Sequence, residues 1–335
     1  MADVAQLVRA LVCGTRCREF ESHLPPHFFI KGSRMRPFLL FVFGTGMRSG
    51  FLIINKERGV SSAKAVAMIK HIMKPKKIGH AGTLDPLAEG VLAIAVNEAT
   101  KLVRFVEDGI KEYVFDIAWG SETTTDDMEG DVTAVSAVRP SLKEINDVLP
   151  LFTGKIKQIP PKYSAIKING RRAYDLARGN VDFAMKEREV HIEDLRLVSH
   201  ASDKSRLKVV CHKGTYVRSL ARDIARKLSS CGHVSFLQRT RVGKFSLSDA
   251  ILLSNLENVE HNFESLLMPL STLLDDILAF AVGDDEAAGL LNGRKINAGA
   301  VDDRTDAIIS CRGRPVAIAD IRGGVIMPKR IIFDD

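Results

Sequence analysis

The chain has 335 residues, 45% of them hydrophobic, with 48 Lys or Arg against 41 Asp or Glu. That is enough for one large domain with a small satellite. No apolar run approaches the ~18 residues that a membrane span needs, and the longest, residues 38–43, is too short for a signal-peptide core, so a cytoplasmic protein with no membrane partner is expected. The net charge of +7 suits a polyanionic partner and equally a ribosome-sized or membrane surface, and five scattered cysteines (Cys13, Cys17, Cys211, Cys231, Cys311) with no Cys-x-x-Cys pair or zinc spacing give no reason to expect a metal or a disulfide.

In chain order, residues 1–46 stand apart. Met1 to Ala10 back-translates to a DNA string containing GTAGCTCAGTTGGTTAGAGC, the form of a tRNA-gene D-arm. Glu19 to His23 back-translates to GAGTTCGAATCTCAC, a TTCGAAT loop between complementary GAG and CTC, as in a T-arm. Two arms in order and in one frame lead to the expectation that residues 1–46 are a gene-model artefact and that translation starts near Met47. The alternative is a genuine basic extension. Without this stretch, 42 basic residues face 38 acidic ones, a net charge of +4, so local clustering of charge must carry the argument.

Residues 51–54 are expected to form a buried strand. Ser61 and Ser62 offer a helix cap ahead of an apolar face of Val66, Ile69 and Met73, and the helix runs out in Lys70, Lys74, Pro75, Lys76 and Lys77. A glycine-rich turn with His80 and Asp85 follows, then a strand over 90–96, a helix over 99–106 and an alternating strand over 113–119. Residues 121–131 read as an acidic polar loop. A helix capped by Ser141 reaches residue 152, an extended stretch over 155–168 contains Pro160-Pro161, and a short helix covers 173–178. Strands at 190–198 and 207–211 precede a helix from Gly214 to about Leu228. Beyond Ser271, a short helix at 284–291 and small strands turning at Arg312-Gly313 and Gly323-Gly324 suggest a separate β-rich unit. The mixture argues for an α+β fold, and the absence of a Gly-x-Gly-x-x-Gly motif after a strand, or of a phosphate-binding loop, leaves nucleotide cofactors without support.

Three constellations carry chemistry. Asp85 precedes Pro86, which restricts it to extended backbone, while Gly79 and Gly82 permit unusual angles upstream. Such a carboxylate suits a nucleophile or base, although spacing alone favours an ordinary turn in which Asp caps a nearby N–H. His80 likewise reads as an acid/base, a stacking ring or a solvated loop residue. Arg218, Arg222 and Arg226, at four-residue spacing, stack on one helix face and call either for anions, carboxylates or phosphates, or for a plain solvated face. Residues 160–178 interleave Lys162, Lys167, Arg171, Arg172 and Arg178 with Tyr163 and Tyr174, a pattern for phosphates and stacked bases of single-stranded RNA, or for two core tyrosines.

The segment Gly79-His-Ala-Gly-Thr-Leu-Asp-Pro-Leu-Ala-Glu-Gly-Val-Leu92 closely resembles the catalytic motif of the TruB family of pseudouridine synthases. The resemblance continues through Lys111-Glu-Tyr113, Pro160 to Arg178, Gly214 to Ala221 and Phe236 to Gly243, in family order. It implies a pseudouridine synthase fold with a mixed, largely antiparallel central sheet flanked by helices over 47–275, and a small β-rich RNA-binding unit of the PUA type over 276–335. The family isomerises the T-loop uridine at tRNA position 55. By position, Asp85 is the essential carboxylate, attacking the ribose or abstracting its proton. Tyr113 stacks on the base and assists proton removal at C5, and Arg218 pairs with Asp85. Tyr216 and Leu237 line the pocket, His80 fills the gap left in the T-loop stack, and Lys56 lies nearby in a pair, Lys56-Glu57, where the family often has Lys-Pro. Lys162, Tyr163, Lys167, Arg171, Arg172, Tyr174, Arg178 and Arg222 would contact RNA. The implied partner is the T-arm stem-loop of tRNA, with no cofactor, no metal, no required protein partner and a monomeric enzyme. Two rivals share part of the pattern: an RNA-binding chaperone in which Asp85 is incidental, and a glycosylase that releases free uracil.

Overall fold

Alternating apolar positions decide how the first strands pack. The computed structural model describes residues 48–179, 181–258, 263–275 and 279–333, so the expectations for residues 1–46 and for a start at Met47 lie outside them. Strand β1 (Gly50–Lys56) turns Leu52 and Ile54 to one core and Phe51 and Ile53 to another. Both faces are covered, which is why it reads as an unbroken apolar run. Helix α1 (Ser62–Met73) is capped by Ser61, whose hydroxyl accepts the Lys64 N–H at 3.1 Å, and it buries Ala65, Ile69 and Met73. It stops at Lys74, in the left-handed region ahead of Pro75.

Strands β2 (Ile78–Ala81) and β3 (Glu89–Val96) flank the segment carrying Asp85. A 3-10 turn at Asn97–Lys101 and helix α2 (Val103–Asp108) fill the region expected to be helical, and β4 (Lys111–Trp119) follows. A ribbon of β5 (Ser121–Thr123) and β6 (Val132–Val135) leads to α3 (Leu142–Val148), closed by a reciprocal Ser141–Glu144 capping box. Then come β7 (Gly154–Gln158), the small pair β8 (Lys167–Ile168) and β9 (Arg171–Arg172), and α4 (Ala173–Arg178). Next are the long β10 (Arg188–Ala201), β11 (Lys204–Cys211), α5 (Val217–Lys227), β12 (Gly232–Val242), β13 (Phe245–Ser246) and β14 (Ile251–Leu252).

The central sheet runs β14-β1-β3-β12-β4-β11-β10-β7, with β2 beside β3 and β13 beside β12. Among the described strands of this sheet only β1–β14 and β3–β12 are parallel, giving the mixed, largely antiparallel α+β architecture. β12 pairs with β4 along most of its length but with β3 only at Gln238–Glu89 and Arg239–Gly90. That junction in the middle of the sheet underlies the candidate site.

A second sheet, β15-β17-β18-β19-β16, is built from β15 (Ala279–Ala281), β16 (Ile296–Asn297), β17 (Arg304–Cys311), β18 (Arg314–Arg322) and β19 (Val325–Ile331), with α6 (Asp284–Leu291) against it. Its hairpins turn at the two expected places. Ile308, Ile318 and Ile332 share a core with Phe51, Ile53, Val91 and Phe245, so this sheet packs on the back of the first. The Arg104–Asp306 ion pair (2.7 Å) and the Lys101 Nζ bond to the Ile331 carbonyl (2.6 Å) flank that contact.

Candidate active site

The loop between β2 and β3 is tied down through its backbone. The Ser62 hydroxyl donates to the Leu84 carbonyl and accepts the Leu84 N–H, both at 2.9 Å. The Gly82 N–H donates to Glu107 Oε1 (3.0 Å), its carbonyl accepts Arg239 Nη2 (3.0 Å), and the Pro86 carbonyl accepts the Gly59 N–H (2.8 Å). Gly82 has φ +83°, a conformation that favours glycine at this bend. Bonds from α1, α2, β12 and the β1–α1 loop therefore hold the segment on which Asp85 stands. A carboxylate fixed in this way is preorganised for chemistry.

Asp85 lines a cleft of about 420 Å3 together with Tyr113, Tyr216, Arg218, Leu237, Lys111 and Arg239. Its side chain is 39% exposed, whereas that of Arg218 is only 6% exposed, and Arg218 Nη2 lies 2.8 Å from Asp85 Oδ2. Three further acceptors hold the guanidinium: the Thr125 carbonyl at 2.9 Å, the Tyr163 carbonyl at 3.0 Å and Asp127 Oδ2 at 3.4 Å. Asp127 is buried and accepts from the Thr125 hydroxyl and the Glu129 N–H. One cation thus joins four chain segments and presents one carboxylate to the cleft.

The expected pocket residues Asp85, Tyr113, Tyr216, Arg218 and Leu237 come together here from four separate stretches of chain. Burial pushes the Tyr113 phenol above its ordinary value, against a downward pull from Arg239, and burial likewise raises Tyr216. Tyr216 caps α5, its backbone N–H donating to Gln158 Oε1 at 2.8 Å and its carbonyl accepting Gln158 Nε2 at 3.1 Å.

Four expectations need correction. Lys56, expected near the substrate, is fully buried beneath the loop that carries Asp85. It donates to the carbonyls of Val60 (2.7 Å), Glu57 (3.1 Å) and Pro86 (3.4 Å) and does not line the cleft. His80 belongs to the edge strand β2, opposite Ile94, rather than to a turn; it is half-buried, and burial lowers its pKa. Arg222, expected on RNA, is buried with Nε on Asp223 (2.9 Å), Nη1 on Asp126 (2.8 Å) and Nη2 on the Ile159 carbonyl (2.9 Å). The acidic stretch 121–131, expected as a polar loop, begins instead as strand β5 and buries Glu122, Asp126 and Asp127 against Arg226, Arg222 and Arg218. The arginine stripe has found its anions within the chain.

The segment that carries the remaining basic and aromatic candidates reaches the cleft through Ser164 and Ala165. Lys162, Lys167, Arg171, Arg172 and Arg178 are exposed, and the Tyr174 ring lies 5.9 Å from the Arg172 guanidinium and 5.6 Å from that of Arg178. Tyr163 is half-buried and reaches the site through its carbonyl.

Two cleft residues, Lys111 and Arg239, were not singled out from the sequence. Arg239 is buried, with Nε on the Val91 carbonyl at 2.8 Å. At Gly90 (φ +104°) a Cβ would lie 2.2 Å from the Arg239 carbonyl oxygen, so glycine is required for β3 and β12 to meet. Burial and the neighbouring Arg239 bring the Lys111 pKa down to about 8, and its ammonium bonds the Glu107 carbonyl. The only advance signal was their position inside motif segments.

Burial also brings Lys56 down to about 8, against an upward pull from Asp85. The folded value lies below the unfolded one, so between about pH 8 and 10.5 the unfolded chain binds more protons at this residue and Lys56 adds stability as pH rises. We expect the stability advantage of wild type over Lys56→Met, read from denaturant melts, to widen across that window. A constant difference would contradict a depressed Lys56.

Comparisons with known proteins follow the same lines. The family model for the TruB family pseudouridylate synthase N-terminal domain matches residues 70–217, and that for the tRNA pseudouridylate synthase B C-terminal domain matches residues 218–275. The chain is 45% identical over 297 residues to tRNA pseudouridine synthase B of Caulobacter vibrioides, covering 84% of this chain and 96% of the relative. It is also 45% identical over 293 residues to the protein of that name from Bradyrhizobium diazoefficiens, covering 84% and 85%. Among solved structures, a chain in the crystal structure of a Cbf5-Nop10-Gar1 complex superposes with TM-score 0.66 at 23% identity over 85% of both chains. A chain in an H/ACA RNP bound to a substrate RNA containing 2'-deoxyuridine gives TM-score 0.66 at 21% identity, with the same coverage.

Proposed function

Because the chain belongs to the TruB family of pseudouridylate synthases, we propose that it isomerises the T-loop uridine of tRNA to pseudouridine at the Asp85 cleft. The observation that carries this reading is the Asp85 carboxylate, held 2.8 Å from a four-fold anchored Arg218 in a cleft walled by Tyr113, Tyr216 and Leu237.

The target uridine leaves its stack, at a cost of a few kcal/mol that is least in a loop, and enters the cleft. The N1–C1' bond breaks, the uracil turns, a C5–C1' bond forms, and the proton lost at C5 is balanced by one gained at N1. No electrons enter or leave. Asp85 acts on the ribose, by attack or by proton removal, and both roles need its charged form, which Arg218 attends. A carboxylate also stabilises positive character at the sugar. The Tyr113 phenol, raised further by burial, is neutral near pH 7, and its ring can serve as a platform for the turning base. Leu237 and Tyr216 help to exclude water that would intercept the detached uracil.

Exposed Lys162, Lys167, Arg171, Arg172 and Arg178, with the Arg-flanked Tyr174, would hold the RNA beside the cleft, and His80 would stack in the T-loop. We assign catalysis to residues 47–275 and further RNA contacts to the β-rich sheet within 276–335, in a monomer acting on the tRNA T-arm in the cytoplasm without a protein partner. No helix among the described residues is long and apolar enough to cross a membrane.

The test is tritium release from C5-labelled uridine in a T-arm stem-loop. We expect release with no free uracil. Absence of release would leave only an RNA-binding role, and uracil among the products would move the assignment to a glycosylase.

A further inference from the structure

Two basic clusters in this chain have opposite fates. The Arg218, Arg222 and Arg226 stripe is neutralised internally by Asp85, Asp127, Asp126, Asp223 and Glu122. The second cluster, Lys64, Lys70, His71, Lys74, Lys76 and Lys77, is exposed throughout. No Asp or Glu occurs between Arg58 and Leu84, and among the described residues these lysines form no ion pair with any other part of the chain. Lys64, Lys70 and His71 lie on the exposed side of α1 and Lys74 caps its end, with Lys70 and Lys74 at the four-residue spacing where like charges repel. The helix dipole favours Lys70 and His71 in the last turn, but Lys64 stands in the first turn, where a cation is disfavoured, and Lys76 and Lys77 lie beyond the helix. Internal stability therefore does not account for the set.

Its placement relative to the catalytic loop supplies the second observation. The start of α1 is bonded to that loop through Ser62 and Leu84, so Lys64 stands close to it. The twelve-residue helix then carries the basic end roughly 18 Å outward at ~1.5 Å per residue. Strand β2 leads back from Lys77 to Gly82 over a similar roughly 17 Å at ~3.3 Å per residue. A charged strip thus starts at the loop bearing Asp85 and extends over a distance of several base-pair steps. A polyphosphate backbone, whose charges recur at short regular intervals, fits such a strip better than a single small anion.

We propose that the exposed side of α1 and the Lys74–Lys77 turn form a phosphate-tracking surface for the helical stem of the RNA whose loop enters the cleft. This rests on the assignment of an RNA stem-loop as substrate. The surface is separate from the basic segment 160–178, and its contribution is to affinity and register rather than to chemistry.

The test uses the full chain and a fluorescent T-arm stem-loop, with anisotropy titrations at several KCl concentrations and tritium release measured on the same RNA. In the variant Lys70→Gln/Lys76→Gln/Lys77→Gln, the slope of log K against log salt is expected to shrink in magnitude by about two to three, as for about three lost phosphate contacts. KM should rise about tenfold or more at moderate salt while kcat is retained, as befits groups that bind ground and transition states alike. The control is Lys143→Gln/Lys155→Gln/Lys157→Gln, which removes the same charge from lysines already paired with Asp147, Glu189 and Glu187. An unchanged slope and KM in the first variant, or an equal loss in the control, would overturn the proposal. Failure of the wild type itself to bind or turn over the stem-loop would overturn the substrate assignment instead.

Discussion

Asp85→Asn is expected to lower turnover by on the order of 10^4-fold or more while leaving T-arm affinity within about threefold of wild type. The amide keeps the shape of the side chain but neither attacks the ribose nor takes a proton from it. The fold has little reason to respond, since Asp85 is 39% exposed and the loop is held by the backbone groups of Gly82, Leu84 and Pro86. Arg218 retains the Thr125 and Tyr163 carbonyls and Asp127, so no cation is left stranded. Single-turnover tritium release and anisotropy on the same protein separate the two effects. Turnover within tenfold of wild type would remove Asp85 from the reaction. Asp85→Glu retains the charge but displaces it by about one bond length, and a shift of that size costs roughly 10^2-fold, so its turnover should fall between those of Asp85→Asn and wild type.

The parts of the site that lie close together in sequence were legible. Ser61 capping α1, the buried run of β3 and the rigid Gly82-to-Pro86 bend follow from local chemistry, and the structure holds them as expected. What escaped depends on partners far along the chain. The stretch 121–131 reads as an acidic polar loop because nothing nearby neutralises it. Its burial comes from arginines about a hundred residues away, and the same pairing withdraws Arg222 from the RNA-contacting set. Strand β12 is the larger omission. Its Gln238, Arg239 and Arg241 break the apolar alternation that marks a strand, yet Arg239 points inward, because the Val91 and Gly82 carbonyls, some 150 residues away, need donors there. Lys56 misled in the same way, since a lysine beside a catalytic motif suggests a pocket residue while three loop carbonyls bury it. Functional order across five segments was readable through family resemblance, and single-residue polarity was not.

Arg218→Met should act on both stability and rate, which separates it from Asp85→Asn. The substitution leaves the buried Asp127 without its cation and the Thr125 and Tyr163 carbonyls without a donor. Stranding a buried charge in this way costs about 3–5 kcal/mol. Asp85 loses its 2.8 Å partner, so turnover by the molecules that remain folded should drop a further ~10^2- to 10^3-fold. Arg218→Lys should recover only part of either loss, because a single ammonium cannot reproduce the planar fork that reaches four acceptors. The double variant Arg218→Met/Asp127→Asn distinguishes the two effects. Removing the stranded carboxylate charge should restore much of the stability lost in denaturant melts while turnover stays low. Recovery of both together would mean that Arg218 serves the fold alone, and recovery of neither would mean that the carbonyls of Thr125 and Tyr163, rather than Asp127, dominate what the guanidinium holds in place.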